Sequence, residues 1–259
     1  MLLSRKRVLF TGSTRGIGLA SAKMFLEEGA RVVINGTTAQ GMKRALEDLT
    51  AYDADVRGIV NDISSSSGVK ELFHEAINFL GGIDILINNA GIYPTGQPLV
   101  EIEESLWEKT INTNLKSVYL CSSIAAKQMK IQGTGGVILN AASFAASIPS
   151  IGAGLYSVTK VSVINLTKSL AAELAPYGIR VNAYSPGVIE TDMPAEVLKN
   201  NRNFIISQIA LQRLGKPEEI AAPIVFLASP RSSYITGAAL DISGGKLIVQ
   251  NPIQFEGEQ

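Results

Sequence analysis

Seven short apolar runs, most of them β-branched, constrain this chain more than any other feature. They fall at residues 8–10, 32–34, 58–60, 83–87, 137–139, 179–183 and 238–242, and longer helical patterns at 17–28, 69–80, 103–132 and 153–175 lie between them. The runs are continuously apolar rather than alternating. Strands of that kind are buried on both faces, and a strand–helix–strand order lays successive strands parallel. The expected fold is α/β, a parallel sheet covered by helices on both sides. No repeat, low-complexity tract or long linker divides the 259 residues, so a single domain spanning 1–259 is expected.

The bulk numbers agree with a large buried core: 46% of residues are hydrophobic and 18% charged, against a usual charged share of about 25%. Lys plus Arg and Asp plus Glu both number 23, and the only basic run is Arg5-Lys6-Arg7, which gives nucleic-acid binding little electrostatic support. The single cysteine, Cys121, rules out an internal disulfide and a cysteine-based metal cluster and reads as a small apolar residue on a buried helix face. No metal site is expected. The first residues become charged too early for a signal peptide, and no uncharged apolar stretch reaches the roughly 18 residues of a membrane span. A cytoplasmic protein without a membrane partner is the expectation. Segment 188–214 is less regular and reads as a helix and loop beyond the sheet, where substrate lids are found. The tail, 246–259, has no clear pattern and could pack on a neighbouring subunit. His74, the one histidine, reads as a helix surface or packing residue.

After the first run comes Thr11-Gly12-Ser13-Thr14-Arg15-Gly16-Ile17-Gly18, leading into a helix. Glycines there allow a tight turn, close approach of backbone to a pyrophosphate and helix–strand contact, while the helix N-terminus offers free N–H groups to the phosphates. A ligand-free tight turn is the competing reading, but the strand–turn–helix context favours a nucleotide. The second strand ends Ile34-Asn35-Gly36-Thr37-Thr38 without the carboxylate that holds a free ribose 2′-hydroxyl. Arg15 could form a charge-assisted bond to a 2′-phosphate. NADP(H) is therefore favoured, with NAD(H) possible if Arg15 is merely solvated.

Tyr156 and Lys160 lie four residues apart, on one helical face. A free phenol titrates at about 10, too high for proton transfer at neutral pH. A cation about 4 Å away at an effective dielectric of about 20 favours the phenolate by about 4 kcal/mol, up to about three pKa units before desolvation opposes it. Lys160 is thus expected to bring Tyr156 toward the working pH of general acid–base catalysis. Ser143, at the end of the fifth run, could polarise a carbonyl; alone it could be a strand-end hydroxyl.

Taken together these residues resemble the short-chain dehydrogenase/reductase family over nearly the whole chain. The glycine turn matches, as do Asn88-Asn89-Ala90-Gly91, Asn114, Ser143, Tyr156 and Lys160 in order and spacing, Asn182 with Ser185-Pro186-Gly187 and Thr191, and the segments 214–220 and 235–237. The resemblance implies a Rossmann-type, doubly wound, mostly parallel seven-stranded sheet and hydride transfer between a nicotinamide and a ketone or secondary alcohol. It assigns Tyr156 as general acid/base, Ser143 to the substrate oxygen, Lys160 to the tyrosine and the nicotinamide ribose, and Asn114 to a water leading from Lys160 to solvent. The cofactor contacts it implies are Gly12, Ser13, Arg15, Gly16, Ile17, Gly18, Thr37, Asp62, Ile63, Asn89, Ala90, Gly91, Tyr156, Lys160, Pro186, Gly187, Val188 and Thr191. Asp62 could instead cap a turn. A homotetramer is also implied, with the helices around Asn114 and Tyr156 packed between subunits.

The branch most resembled is that of the 3-ketoacyl-carrier-protein reductases, which dock an acidic carrier on basic residues. The corresponding positions here are Thr134 and Tyr177, neither cationic, although Lys127, Lys130 and Arg180 are near enough to compensate. The substrate pocket is expected to be lined by Ser143, Phe144, Ile151, Leu155, Tyr156 and Met193, with Ile92, Tyr93 and Val188. That lining suits an aliphatic, alicyclic or sterol-like carbonyl better than a charged acid. An NAD-dependent alcohol or hydroxysteroid dehydrogenase is the alternative enzyme, and a nucleotide-sensing binding protein the alternative outside catalysis.

Overall fold

The computed structural model describes residues 1–149 and 151–248. Seven strands, β1 (Arg7–Thr11), β2 (Arg31–Gly36), β3 (Val56–Val60), β4 (Ile85–Asn88), β5 (Gly136–Ala141), β6 (Ile179–Pro186) and β7 (Ala239–Ile242), form one sheet in the order β3-β2-β1-β4-β5-β6-β7. Every pairing is parallel. All seven runs became strands, and the sheet is wholly rather than mostly parallel. The order reverses between β1 and β4, and ligands of open α/β sheets bind at the carboxyl ends of the strands at such a switch point.

Each central strand divides its side chains between two cores. Val8 and Phe10, Val32 and Ile34, Ile85 and Ile87 point to one face, where they meet Phe25, Met42, Ala45 and Ile224. Leu9, Val33 and Leu86 point to the other and meet Leu72, Phe73, Cys121, Ala125 and Met129. The first core is covered by α1 (Gly16–Glu27), α2 (Ala39–Asp48) and α8 (Pro217–Ala228), the second by α3 (Ser66–Leu80), α5 (Ser117–Gln132) and α6 (Gly154–Leu174). Phe10 and Phe25 pack edge to face at 5.0 Å inside the first core. Both are fully buried, and truncating either to alanine would cost about 3–5 kcal/mol.

The long pattern at 103–132 is not one helix. It divides into α4 (Glu104–Ile111) and α5 around a single π turn at Asn112–Lys116, in which Ser117 N–H donates to Asn112 O. Turns of this kind are frequent at functional sites. Apart from the helix in segment 188–214, two α-helices among the described residues lie outside the periodic stretches: α2, whose buried stripe is only Met42 and Ala45, and α8, which starts at Pro217 and is capped through Glu219. The irregular segment 188–214 contains α7 (Ala195–Ser207). Residues 249–259 of the expected tail lie outside the described residues. No helix among the described residues is long and apolar enough to cross a membrane.

Candidate active site

The turn after β1 has the form of an anion cradle. Gly12 and Gly16 adopt positive φ of 60° and 55°, which glycine reaches without the strain a Cβ brings. Gly18 is required for closeness: a Cβ there would lie 2.4 Å from Gly12 O and 2.7 Å from Asn89 Nδ2. Helix α1 has no side-chain cap and no acid in its first turn, so its leading N–H groups are left for a negatively charged ligand. Ser13 N–H donates to Asn35 O at 2.8 Å and Ser13 Oγ accepts from Asn35 N–H at 3.0 Å, fixing the turn to β2. Gly36 lies under Thr14, where a Cβ would sit 2.5 Å from Thr14 Cγ2, so the chain leaves no room for an acidic side chain at that strand end. These residues fit a dinucleotide. Arg15 is exposed and pairs with Asp192 at 3.1 Å.

The loop after β4 closes over this turn. Thr11 Oγ1 accepts from the N–H groups of Asn89 and Ala90 at 3.1 and 3.2 Å, and Asn89 Nδ2 donates to Gly12 O at 2.6 Å. On the other side of the loop, Asn114 Oδ1 accepts from Ile92 N–H and its Nδ2 donates to Ile92 O, both at 2.8 Å. Its amide also donates to Thr159 Oγ1 at 3.3 Å. The fully buried Asn114 side chain therefore ties the π turn to the β4 loop and to α6.

Helix α6 carries a buried stripe, Tyr156, Lys160, Val163, Thr167, Ala171 and Leu174, at spacings of three and four. It brings Tyr156 and Lys160 to the carboxyl ends of β4 and β5. Lys160 Nζ donates to Ala141 O at 2.7 Å and lies 5.4 Å from the Tyr156 ring centroid. Gly91 sits beside this cluster, since a Cβ there would be 3.4 Å from Asn114 Oδ1 and 3.7 Å from Lys160 Nζ. Ser143 follows β5 in extended backbone, and its Oγ accepts from Ala145 N–H at 3.1 Å. Tyr93 packs edge to face on Tyr156 at 4.8 Å. All four expected catalytic side chains thus converge on one volume beside the cradle.

The electrostatics correct one expectation. Burial drives the Tyr156 phenol up to about 12; the Ser143 hydroxyl pulls it down and Tyr93 adds to the rise. Lys160 does not offset this, because its ammonium is directed to the Ala141 carbonyl rather than to the phenol oxygen. Burial instead lowers Lys160 itself to about 8. Desolvation outweighs the neighbouring charge that four-residue spacing suggests.

Other expected residues are distributed as follows. Thr191 Cγ2 lies 3.1 Å from where a Gly16 Cβ would be, so the segment after β6 reaches the cradle at Thr191; Pro186 ends β6, Gly187 N–H donates to Ile242 O, and Val188 O accepts from Gly215 N–H. Thr37 and Ile17 border the turn. The Asp62 carboxylate accepts from Ser64 N–H at 2.9 Å and Ser64 Oγ at 3.0 Å, the turn-capping arrangement. Ile63 is 4% exposed and belongs to the core beneath α3, so its side chain is not offered to a ligand. Leu155 is likewise wholly buried and does not line a pocket; helical phase turns it inward. Ile151 and Met193 are exposed and Phe144 half-buried. Arg180 cannot serve an acidic partner: its guanidinium donates to the carbonyls of Leu227, Ile235 and Ser229. Lys130 does approach that position, 3.7 Å over the Tyr177 ring. Asn182 and Thr236 join β6 to the turn before β7, and Glu219 accepts from Lys216 N–H and from Arg213, so those signature segments are structural. His74 is exposed on α3 beside Asn78. Three residues of interest were not foreseen, Asp192, Tyr184 and Lys246, because each acts through a contact that crosses long stretches of sequence.

A doubly wound sheet, a glycine cradle at its switch point and a buried Tyr-Lys-Ser-Asn cluster define a dinucleotide-dependent oxidoreductase. The chain belongs to the short-chain dehydrogenase/reductase family: a family model described as enoyl-(acyl carrier protein) reductase matches residues 12–246, and relatives and solved structures of that family cover nearly its full length. It is 41% identical over 241 residues to a 3-oxoacyl-(acyl-carrier-protein) reductase of Chlamydia pneumoniae, covering 93% of this chain and 96% of the relative. It is 38% identical over 254 residues to an L-rhamnose 1-dehydrogenase (NAD(P)(+)) of Azotobacter vinelandii, covering 96% and 99%. A short-chain type dehydrogenase/reductase from Mycobacterium marinum superposes with a TM-score of 0.91 at 34% identity, covering 95% of this chain and 97% of that one. The protein is accordingly an enzyme that moves a hydride between a nicotinamide cofactor and a carbonyl or alcohol carbon.

Proposed function

We propose that the protein is an NADPH-preferring carbonyl reductase in which Tyr156 is the proton donor. The observation that carries this reading is the convergence of Tyr156, Ser143, Lys160 and Asn114 beside the Gly12–Gly18 cradle. The cofactor, when bound, supplies the hydride. Tyr156, held neutral by burial, gives its proton to the carbonyl oxygen as that oxygen becomes an alkoxide. Ser143 Oγ–H donates to the same oxygen and stabilises its charge where burial has lowered the dielectric. Lys160, placed between Ala141 O and the Gly91 loop, grips the nicotinamide ribose, and the turn at Asn112–Lys116 with Asn114 holds the loop against which that ribose rests.

The preference for NADPH is supported by the exposed Arg15 at the cradle and by the exclusion of an acidic side chain at Gly36. Segment 188–214 serves as the lid over the substrate; its base is fixed by the Ile189–Gly215 bridge. The four-subunit assembly draws on Trp107, Tyr119, Val158 and Val161, which are 42%, 53%, 38% and 49% exposed on α4, α5 and α6. The site of action is the cytoplasm. Light scattering is expected to read the assembly as four copies of the chain. A panel of ketones, diketones and secondary alcohols assayed with both cofactors tests the reaction: NADPH is oxidised with at least one carbonyl, and Tyr156→Phe loses on the order of a thousandfold in kcat while still binding NADPH. Wild-type turnover in that variant removes Tyr156 from the role.

A further inference from the structure

Beyond β7 the chain makes a tight turn at Gly244 and Gly245, with φ of 67° and 84°. This turn is packed directly against the nicotinamide-side segment: Gly187 N–H donates to Ile242 O at 3.0 Å, and a Cβ on Gly187 would lie 2.7 Å from Ser243 Cα. Lys246 follows it. Its main-chain N–H donates to Ser243 Oγ at 3.2 Å, which fixes the root of the side chain. Its Nζ donates to Gln208 Oε1, at the C-terminal cap of α7, and lies 5.9 Å from the ring centroid of Phe144, the residue next to Ser143. The ammonium therefore occupies a position bounded by the Ser143 loop, the lid helix and the Gly187 turn.

Lys246 is half-buried there, and burial holds its ammonium below the ordinary lysine range. Among the described residues no carboxylate lies within ion-pairing distance of it. The nearby Asp241 carboxylate accepts from Ser243 Oγ at 2.9 Å instead. A cation drawn partly out of water with a neutral amide oxygen as its side-chain partner is an incomplete arrangement that an anion would complete. Gln208 offers the second donor: with its Oε1 held by Nζ, its Nε2 donates to no other group among the described residues and can bond the other oxygen of a planar carboxylate.

Resting on the carbonyl-reductase reading, we propose that Lys246, with Gln208, receives a carboxylate carried by the substrate, so that the physiological carbonyl is a keto acid, or a hydroxy acid in the reverse direction. The apolar residues around Phe144 and Tyr93 would cover the carbons between carbonyl and carboxylate. This departs from the largely apolar, uncharged lining that the sequence suggests.

The test uses the full-length protein with NADPH and a series of straight-chain keto acids of increasing length, each paired with its methyl ester. For at least one length the acid is expected to exceed the ester in kcat/KM by tenfold or more, mainly in KM. Lys246→Met should bring the acid-to-ester ratio close to one, and Lys246→Arg should restore most of it. Binding is read separately by calorimetry on the NADPH-bound Tyr156→Phe protein, which needs no turnover. There the acid is expected to bind at least tenfold more tightly than its ester, and Lys246→Met should abolish the difference. Equal affinities for acid and ester at every length, or a preference unchanged in Lys246→Met, would overturn the proposal. Turnover of esters and neutral ketones without that preference would leave the reductase reading intact, whereas acid-selective binding without turnover of any carbonyl would count against the reductase reading and leave the anion site standing.

Discussion

Tyr184 Oη donates to Asn89 Oδ1 at 3.0 Å across 95 residues of sequence. Tyr184 belongs to β6 and Asn89 follows β4, so the phenol reaches past β5 to make this bond. By engaging Oδ1 it fixes the amide orientation, and Nδ2 is then the atom that donates to Gly12 O. The glycine turn after β1 is thus positioned from β6 through a single fully buried hydroxyl.

Tyr184→Phe keeps the ring and removes only that hydroxyl. One hydrogen bond of this kind is worth about 1 kcal/mol net, so the Kd for NADPH should rise about fivefold. Fluorescence titration of the cofactor measures it. In an Asn89→Ala background the same change should have no further effect, because Tyr184 acts through Asn89. An undiminished effect there would show that the hydroxyl supports the fold generally.

The folded-state pKa of Lys160, about 8, predicts the alkaline limb of reduction. Tyr156 stays protonated to about 12 and contributes no limb near neutrality. The kcat/KM for NADPH, which reports the free enzyme, should therefore be flat at neutral pH and fall with unit slope above about 8 as the ammonium is lost. Lys160→Arg, though slower, should lack that limb; a limb persisting near pH 8 would assign it to another group. The same shift has a stability consequence. Between about 8 and the ordinary lysine value the folded protein binds fewer protons than the unfolded chain, so unfolding free energy from this group rises with pH across that window. Burial of Cys121, Tyr156 and Tyr184, which raises their own values, acts in the opposite direction on both proteins, so urea titrations at the two ends should show the stability of the wild type rising relative to that of Lys160→Met.

The fold was legible because burial on both faces leaves its mark locally: β1, β2 and β4 are continuously apolar, and each such run became a strand. The site residues were legible where one residue type at one spacing performs one task, as with Gly12, Gly16 and Gly18, or Tyr156 and Lys160. What could not be read depended on direction and distance. Four-residue spacing placed Lys160 on the face of Tyr156 but did not reveal that its ammonium points to Ala141 O. Leu155 adjoins Tyr156 in sequence yet turns into the core. Tyr184 and Lys246 carry no motif, since their partners Asn89 and Gln208 become neighbours only when the sheet is assembled. Helix α2 was missed because its apolar stripe is two residues wide.

Arg7 and Asp84 join the starts of β1 and β4 through three hydrogen bonds from Arg7 N–H, Nε and Nη2, at 2.9, 2.9 and 2.6 Å. Burial alone would raise the Asp84 carboxyl, but these bonds hold it below its usual value. Its contribution is therefore present above the unfolded carboxylate pKa and lost as pH falls through the lower folded value. Asp84→Asn should cost about 1–2 kcal/mol at pH 7, measured by urea denaturation, a figure kept modest because the pair is partly exposed. The difference from wild type should shrink on acidification. A constant difference down to pH 3 would mean that the shape of the side chain, not its charge, matters.

Arg15 and Asp192 approach to 3.1 Å while 75% and 74% exposed, so their ion pair adds little stability, between about 0 and 1 kcal/mol. Its consequence is competition. The guanidinium that would meet a 2′-phosphate is already shared with the carboxylate beside Thr191. Asp192→Asn should therefore tighten NADPH about two- to threefold, leave NADH unchanged and leave the unfolding midpoint unmoved. Arg15→Ala should weaken NADPH about tenfold or more with little effect on NADH, because only the former carries the extra phosphate. Calorimetric titration of both cofactors on the three proteins decides the matter. Equal weakening of NADH and NADPH in Arg15→Ala would show that the guanidinium reads the shared pyrophosphate, and would remove the support it gives to the proposed NADPH preference.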